Sequence, residues 1–311
     1  MKGIHAAIVT HFDAALNIDH EAIAADVRRL IDAGLHGVIP NGTVGEGGAL
    51  SREERAEAVA TAVGAAAGRA PVCAGISAPT ADQAIAYGQD ARGAGAEGVM
   101  LLPPLLYRAD RRELAEFFGS VARALDMPIM LYNNPESSGS DLEPELLAEL
   151  VRAVPSIAAI KECSGDARRI AELVGGCPQT SVLVGGDDWA LEGFCAGAAG
   201  WVSGVANVFP AECVKLWELC RSGRLGPAQE LYQALLPLGH LDMTPKLVQY
   251  FKAALDELSL GGGPCRPPRM ALTEAELEVV RGAVAHASRA RLPDEEAGVA
   301  IGVAGEVHDN G

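Results

Sequence analysis

The sequence predicts an α/β protein, a (β/α)8 barrel of the TIM type with an appended C-terminal helical region. Three observations point there. Eight short apolar runs alternate with longer segments of helical pattern up to residue 203. Each run is near-continuously apolar instead of alternating, as in a parallel strand covered on both faces. No GxGxxG loop follows the first run, which argues against an open dinucleotide-binding sheet. Eight consecutive strand–helix units are what a closed barrel needs, and 311 residues suffice to bury its core.

The runs and their punctuation fall in order. Ile4–Thr10 precedes a helix that ends at Asp32-Ala33-Gly34, glycine being the usual residue past a helix end. Gly37–Pro40 leads into the turn Asn41-Gly-Thr-Val-Gly-Glu46 and then Ser51-Arg-Glu-Glu54, a capping box that starts the next helix. Pro71–Ile76 feeds a helix closing at Arg92-Gly-Ala-Gly95. Gly98–Leu102 is followed by Asp110-Arg-Arg-Glu113, a second box of the same kind. Pro128–Tyr132 runs on into Asn133-Asn-Pro135, and Pro144 suits a first helical turn. Ser156–Lys161, Ser181–Val184 and Gly200–Ser203 complete the set. Three further helical stretches, near 225–236, 244–258 and 273–289, place a region 223–292 against the 1–222 barrel. Residues 293–311, acidic and then small, read as a disordered tail.

Composition excludes several function classes. Hydrophobic residues make up 49% of the chain, too many for a disordered protein. Lys plus Arg is 25 against 41 Asp plus Glu, a net charge of −16 that repels nucleic-acid backbones and anionic lipid. The seven cysteines form no CxxC pair, so neither a disulfide framework nor a structural zinc site is expected. No run reaches the roughly 18 apolar residues of a membrane span, and the N-terminus lacks the apolar stretch of a signal peptide. A cytoplasmic setting is expected, with no nucleic-acid or membrane partner.

Barrel chemistry sits where strands end. Lys161 ends the run Ile157-Ala-Ala-Ile160, which aims it at the barrel mouth. Burial there disfavours an ammonium and favours the neutral amine, a nucleophile towards carbonyls. A rim lysine paired with Glu162 fits the same position, and both readings stand. Tyr132 ends the preceding run; its phenol is placed either to shuttle a proton or simply to sit buried with its hydroxyl satisfied. The Gly42–Gly45 turn offers backbone N–H groups and the Thr43 hydroxyl to an anion such as a carboxylate. Of seven histidines only His11 follows a strand end, which makes it a candidate substrate contact. HExxH spacing and a GxSxG elbow are both absent, so no metal site is expected.

Together, Gly42-Thr-Val-Gly-Glu46 with Leu50-Ser51 and Glu54-Arg55, Tyr132-Asn-Asn-Pro135, Ile160-Lys-Glu162 with Ser164-Gly-Asp166, and Gly185-Gly-Asp-Asp188 resemble the dihydrodipicolinate synthase/N-acetylneuraminate lyase family of class I lyases. The likeness runs from about residue 3 to 290. It implies Lys161 as the Schiff-base lysine, Tyr132 as the acid/base tyrosine, and Thr43 with Val44 as the pair holding the substrate carboxylate. It implies that the backbones of Gly186 and Val202 line the substrate site, that no cofactor is needed, and that the assembly is a homotetramer built as a dimer of dimers. The chain departs from the synthase pattern at Val44 (a second threonine there), at Leu106 (a tyrosine), at Ser137 (an arginine that binds the aldehyde substrate's carboxylate) and at His11. Gly200-Trp-Val-Ser-Gly204, His240–Tyr250 and Arg266-Pro-Pro-Arg269 are similar to 1-pyrroline-4-hydroxy-2-carboxylate deaminases.

The resemblance therefore implies a Schiff-base lyase acting on a small 2-oxo acid or cyclic imine, with a dehydratase/deaminase of that pyrroline type as the first reading. A pyruvate-dependent aldolase, or a condensing enzyme like 4-hydroxy-tetrahydrodipicolinate synthase, is the second. A non-catalytic sensor of 2-oxo acids is the third; it would be stabilised by ligand without turning it over.

Overall fold

The computed structural model describes residues 1–290 and Leu292; the tail expected at 293–311 lies outside the described residues. Eight strands form one parallel sheet: β1 (Gly3–Ala7), β2 (Gly37–Ile39), β3 (Cys73–Gly75), β4 (Gly98–Leu101), β5 (Ile129–Asn133), β6 (Ile157–Glu162), β7 (Ser181–Val184) and β8 (Gly200–Ser203). β1 pairs with both β2 and β8, so the sheet curls round on itself. The seam between β2 and β3 is closed by a bridge of Val38 with Val72 and by the N–H of Gly75 donating to the Pro40 carbonyl at 2.9 Å. The chain is a (β/α)8 barrel.

The strands are apolar throughout because both faces are covered. Ile4, Val38, Ile39, Val99, Leu101, Ile129, Leu131, Ile160 and Leu183 are fully buried between the barrel interior and the helical ring. That ring comprises α1 (His20–Asp32), α2 (Arg52–Ala66), α3 (Ala81–Gly93), α4 (Arg111–Leu125), a four-residue turn of helix α5 (Pro135–Ser138), α6 (Pro144–Ala153), α7 (Arg168–Gly176), α8 (Ala190–Cys195) and α9 (Pro210–Arg221). Both capping boxes form: the Ser51 and Asp110 side chains accept the N–H groups of Glu54 and Glu113, whose carboxylates reach back. Pro144 opens α6 as its first residue.

Beyond the barrel come α10 (Leu225–Asp242), α11 (Leu247–Glu257) and α12 (Glu274–Ala287). The sequence places the end of the first of these near residue 236, in front of Pro237. The helix instead runs through Pro237 to Asp242. Leu235, Leu238 and Leu241 continue one buried stripe, so packing outweighs the lost backbone hydrogen bond. This extension matters, because α10 lies against the turn that follows β7 and carries Asp242 to the barrel mouth.

Candidate active site

All eight strands point the same way, so their C-terminal ends share one rim, and a cavity of about 210 Å³ opens there. Register places two side chains side by side at its floor: Tyr132 on β5 pairs with Lys161 on β6. Both are buried, and the Lys161 amine lies 4.1 Å from the centroid of the Tyr132 ring. Asn134 donates to the phenol oxygen at 2.9 Å and fixes its orientation. Burial pushes the phenol up to about 12, so it stays protonated at neutral pH.

Lys161 does not behave as burial alone predicts. Burial pulls the amine down, but Tyr132, Cys163 and Asp242 around it outweigh that and leave it above the ordinary lysine value. It is not paired with Glu162 either. That carboxylate turns away, accepting from Asn133 at 3.0 Å and from the Ser164 N–H at 2.6 Å. The amine is therefore free to face the cavity, with its charge set by the cavity's own groups.

The amine has room because of a glycine. A Cβ on Gly185, the first residue after β7, would stand 3.0 Å from Cε of Lys161 and 2.7 Å from Cβ of Cys163. Any larger residue there would push the lysine off its line. The family resemblance implies Gly186 as a lining residue; it does not line the cavity, and Gly185 does. Gly186 backs onto the Trp189 indole, 2.2 Å from where its Cβ would be.

The opposite wall is the Gly42–Glu46 turn. Thr43 and Val44 both line the cavity. Among the described residues, neither backbone N–H meets a protein acceptor, while the Thr43 carbonyl accepts from Glu46 at 3.1 Å. The turn is held from behind. Asn41 and Glu46 take left-handed backbone (φ 62° and 51°), and the buried Arg55 guanidinium donates to the carbonyls of Gly47 and Gly75. Glu46 is fully buried and pairs with the equally buried Lys252 of α11 at 2.8 Å. Two N–H groups without a protein acceptor beside a hydroxyl are donors that an anion could take up.

Val202 and Ser137 also line the cavity. Ser137 sits at its exposed lip in α5, its N–H bound to the Asn134 side chain at 2.9 Å. His11 does not reach the site. Its imidazole is buried outside the cavity lining, Nδ1 2.8 Å from the Gly261 carbonyl and Nε2 3.5 Å from Asp26. The expected substrate contact at His11 is thus corrected to a tie between barrel and C-terminal segment. Leu106 stands 92% exposed with φ 80° and does not line the cavity either.

Three charged residues that line the cavity have no role in the sequence reading: Glu136 at the exposed lip in α5, Asp242 and Arg269. Asp242 ends α10, with Oδ2 3.3 Å from the Asp187 N–H. Arg269 reaches in from the segment after α11. Its one ion pair among the described residues is loose, 3.9 Å to Glu46. The His240–Tyr250 and Arg266–Arg269 stretches contain the last two, but no periodicity links a region after the barrel to the barrel mouth.

With this geometry in hand, the dihydrodipicolinate synthetase family model matches residues 1–287. The chain belongs to that family. It is accordingly a Schiff-base-forming lyase. A 4-hydroxy-tetrahydrodipicolinate synthase of Methanoculleus marisnigri is 36% identical over 287 residues, 90% of this chain and 97% of that one. An uncharacterized DapA-like lyase of Halobacterium salinarum is 33% identical over 274 residues, covering 88% and 90%. Among solved structures, the 4-hydroxy-tetrahydrodipicolinate synthase of Methylacidiphilum fumariolicum SolV matches with a TM-score of 0.89 at 30% identity, over 93% of this chain and 96% of that one. YagE of E. coli K12, solved in complex with pyruvate, gives 0.88 at 27%, over 93% and 99%. No helix among the described residues is long and apolar enough to cross a membrane.

Proposed function

We propose that this family member forms its Schiff base on Lys161 with a small 2-oxo acid or cyclic imine, and that it releases ammonia as a deaminase of the 1-pyrroline-4-hydroxy-2-carboxylate type. The observation that carries the first half is the Lys161 amine seated 4.1 Å over the Tyr132 ring in the barrel-mouth cavity. Thr43 and the Thr43–Val44 backbone hold the substrate carboxylate. Lys161 attacks C2, Tyr132 passes protons, and the protonated imine draws electrons from C3, so that a C3 proton and then the 4-hydroxyl leave. The ring nitrogen is left on C5 as an amine; proton shifts from C5 to C3 and from that nitrogen to C4 turn it into a C5 imine, and water hydrolyses that imine and the Lys161 imine to give ammonia, the open-chain semialdehyde and free lysine. The pyruvate bound to YagE supports the 2-oxo acid class.

The second half rests on what the cavity lacks. Val44 offers no side-chain hydroxyl, and Ser137 offers neither charge nor reach for a second substrate's carboxylate. The nearby cation is Arg269, which borders both the cavity and a recess beneath Gly42 and Thr43. Its guanidinium reinforces an anion held on that turn. Arg269→Met is expected to raise KM for a carboxylate substrate about ten-fold, one good charge-assisted contact, with kcat little changed; steady-state kinetics checks it.

A condensing enzyme is the second reading, favoured by the synthases at 33–36% identity. Product assays separate the two. Ammonia from 1-pyrroline-4-hydroxy-2-carboxylate supports the deaminase; condensation of pyruvate with aspartate semialdehyde, without ammonia from the pyrroline, overturns it. The assembly we infer is a tetramer of two dimers, with exposed Leu106 and Tyr107 as apolar contacts between copies. A mass of four chains by light scattering is the expected result.

A further inference from the structure

The Lys161 amine sits above its ordinary value, yet it must shed a proton before it can attack. Something beside it has to accept that proton. Four ionisable groups interact with it: Tyr132, Cys163, Asp242 and Asp187, the last with its carboxyl already taken up by the Gly204 and Val205 N–H groups. Burial pushes the phenol and the thiol each up to about 12, so neither is an acceptor at neutral pH. Burial also raises the Asp242 carboxyl, but to about 6, which leaves it ionised at pH 7 and able to hold a proton in transit.

The placement of Asp242 is built. It is the last residue of α10, a helix outside the barrel that reaches over the rim. Its Oδ2 accepts from the Asp187 N–H, one turn past β7. Asp187 is itself anchored, its buried carboxyl accepting from the N–H groups of Gly204 and Val205 at 3.1 and 2.7 Å. The charged and titratable groups facing Asp242 are Lys161 from β6, Asp187 and Asp188 from the turn after β7, and Tyr132 with Cys163 across the cavity. Glu136 and Arg269 line the same cavity. A carboxylate at a helix C-terminus is unfavourable with the helix dipole, a cost set against its one hydrogen bond from the Asp187 N–H at 3.3 Å.

We propose that Asp242 is a second acid/base residue of the reaction, taking the proton that leaves the Lys161 ammonium and returning it when the carbinolamine collapses. The inference rests on the Schiff-base reading of Lys161. With a 2-oxo acid, the ammonium gives one proton to the Asp242 carboxylate, and the neutral amine forms a C–N bond to C2 while the carbonyl electron pair moves to oxygen. A nitrogen-bound proton passes to that oxygen through Tyr132. The C–O bond then breaks, the leaving hydroxide takes the Asp242 proton, and water departs. Lysine ends as a protonated imine and Asp242 as a carboxylate, so protons and charge balance.

The test uses the full chain with pyruvate as probe. Schiff-base formation is followed by borohydride quench and mass spectrometry of the Lys161 peptide between pH 5 and 9. The wild type is expected to show a rate that rises through an apparent pKa near 6. Asp242→Asn should be slower by on the order of 10²-fold at pH 7 and lack that limb. Asp242→Glu should restore part of the rate and a limb at a shifted pH. Melting temperature should not fall in Asp242→Asn, which separates catalysis from folding. A wild type without the limb, or an Asn variant that keeps both limb and rate, overturns the inference while the Schiff base stands. No pyruvate adduct on wild-type Lys161 overturns both.

Discussion

Lys161→Ala is expected to lower turnover by at least about 10³-fold, roughly 4 kcal/mol of barrier, while the protein folds as before. The barrier rises because the imine is the electron sink and, among the described residues, no other amine lines the cavity. Arg269 is a guanidinium that stays protonated. Folding is spared because the lysine makes no ion pair with Glu162, and the Asp242 carboxylate that shares its cavity keeps the hydrogen bond from the Asp187 N–H when the amine is removed. Borohydride with pyruvate should add mass to the Lys161 peptide of the wild type and to no peptide of the variant. Turnover at the wild-type rate in the variant would refute the assignment. Tyr132→Phe should fall between the two, on the order of 10²-fold or more, with the adduct still trapped.

How far the sequence revealed this site follows from where each residue is anchored. Lys161 and Tyr132 were legible because each ends an apolar run, and a run's end in a parallel barrel has a known destination. The Thr43–Val44 turn lies past its strand and was legible through its flanking glycines and the family resemblance. Gly186 and His11 were not, because past a strand no glycine pattern fixes which residue turns inward. Beyond that point the chain's direction depends on what it packs against: Trp189 for the one, the Gly261 carbonyl and Asp26 for the other. Asp242 and Arg269 were beyond reach altogether. They come from helices and loops after the barrel, and Pro237 hid the last turn of α10.

The same appended region also governs stability. Lys252→Met is expected to destabilise the fold by about 3–5 kcal/mol, the cost of leaving a buried charge without its partner. Lys252 and Glu46 are both buried, 2.8 Å apart; without the lysine, Glu46 keeps the Arg266 N–H at 3.0 Å and only the loose Arg269 pair at 3.9 Å. Lys252 also donates to the Pro264 carbonyl at 2.7 Å, and its amine and the Arg266 guanidinium each lie 4.5 Å from the centroid of the Phe12 ring. One cation thus ties α11, the 261–269 segment, the exit of β1 and the turn after β2. Adding Glu46→Gln to Lys252→Met removes the orphaned charge and should recover much of the loss, since a buried pair contributes little net against a neutral replacement. The activity readout separates the roles. Glu46 closes the turn that bears Thr43, so Lys252→Met should raise KM for the carboxylate substrate, whereas the borohydride adduct on Lys161 should still form at saturating pyruvate. Denaturant melts of the four variants of this cycle, with KM measured below the transition, are the check; a single mutant as stable as the wild type would show that the pair does not hold the turn.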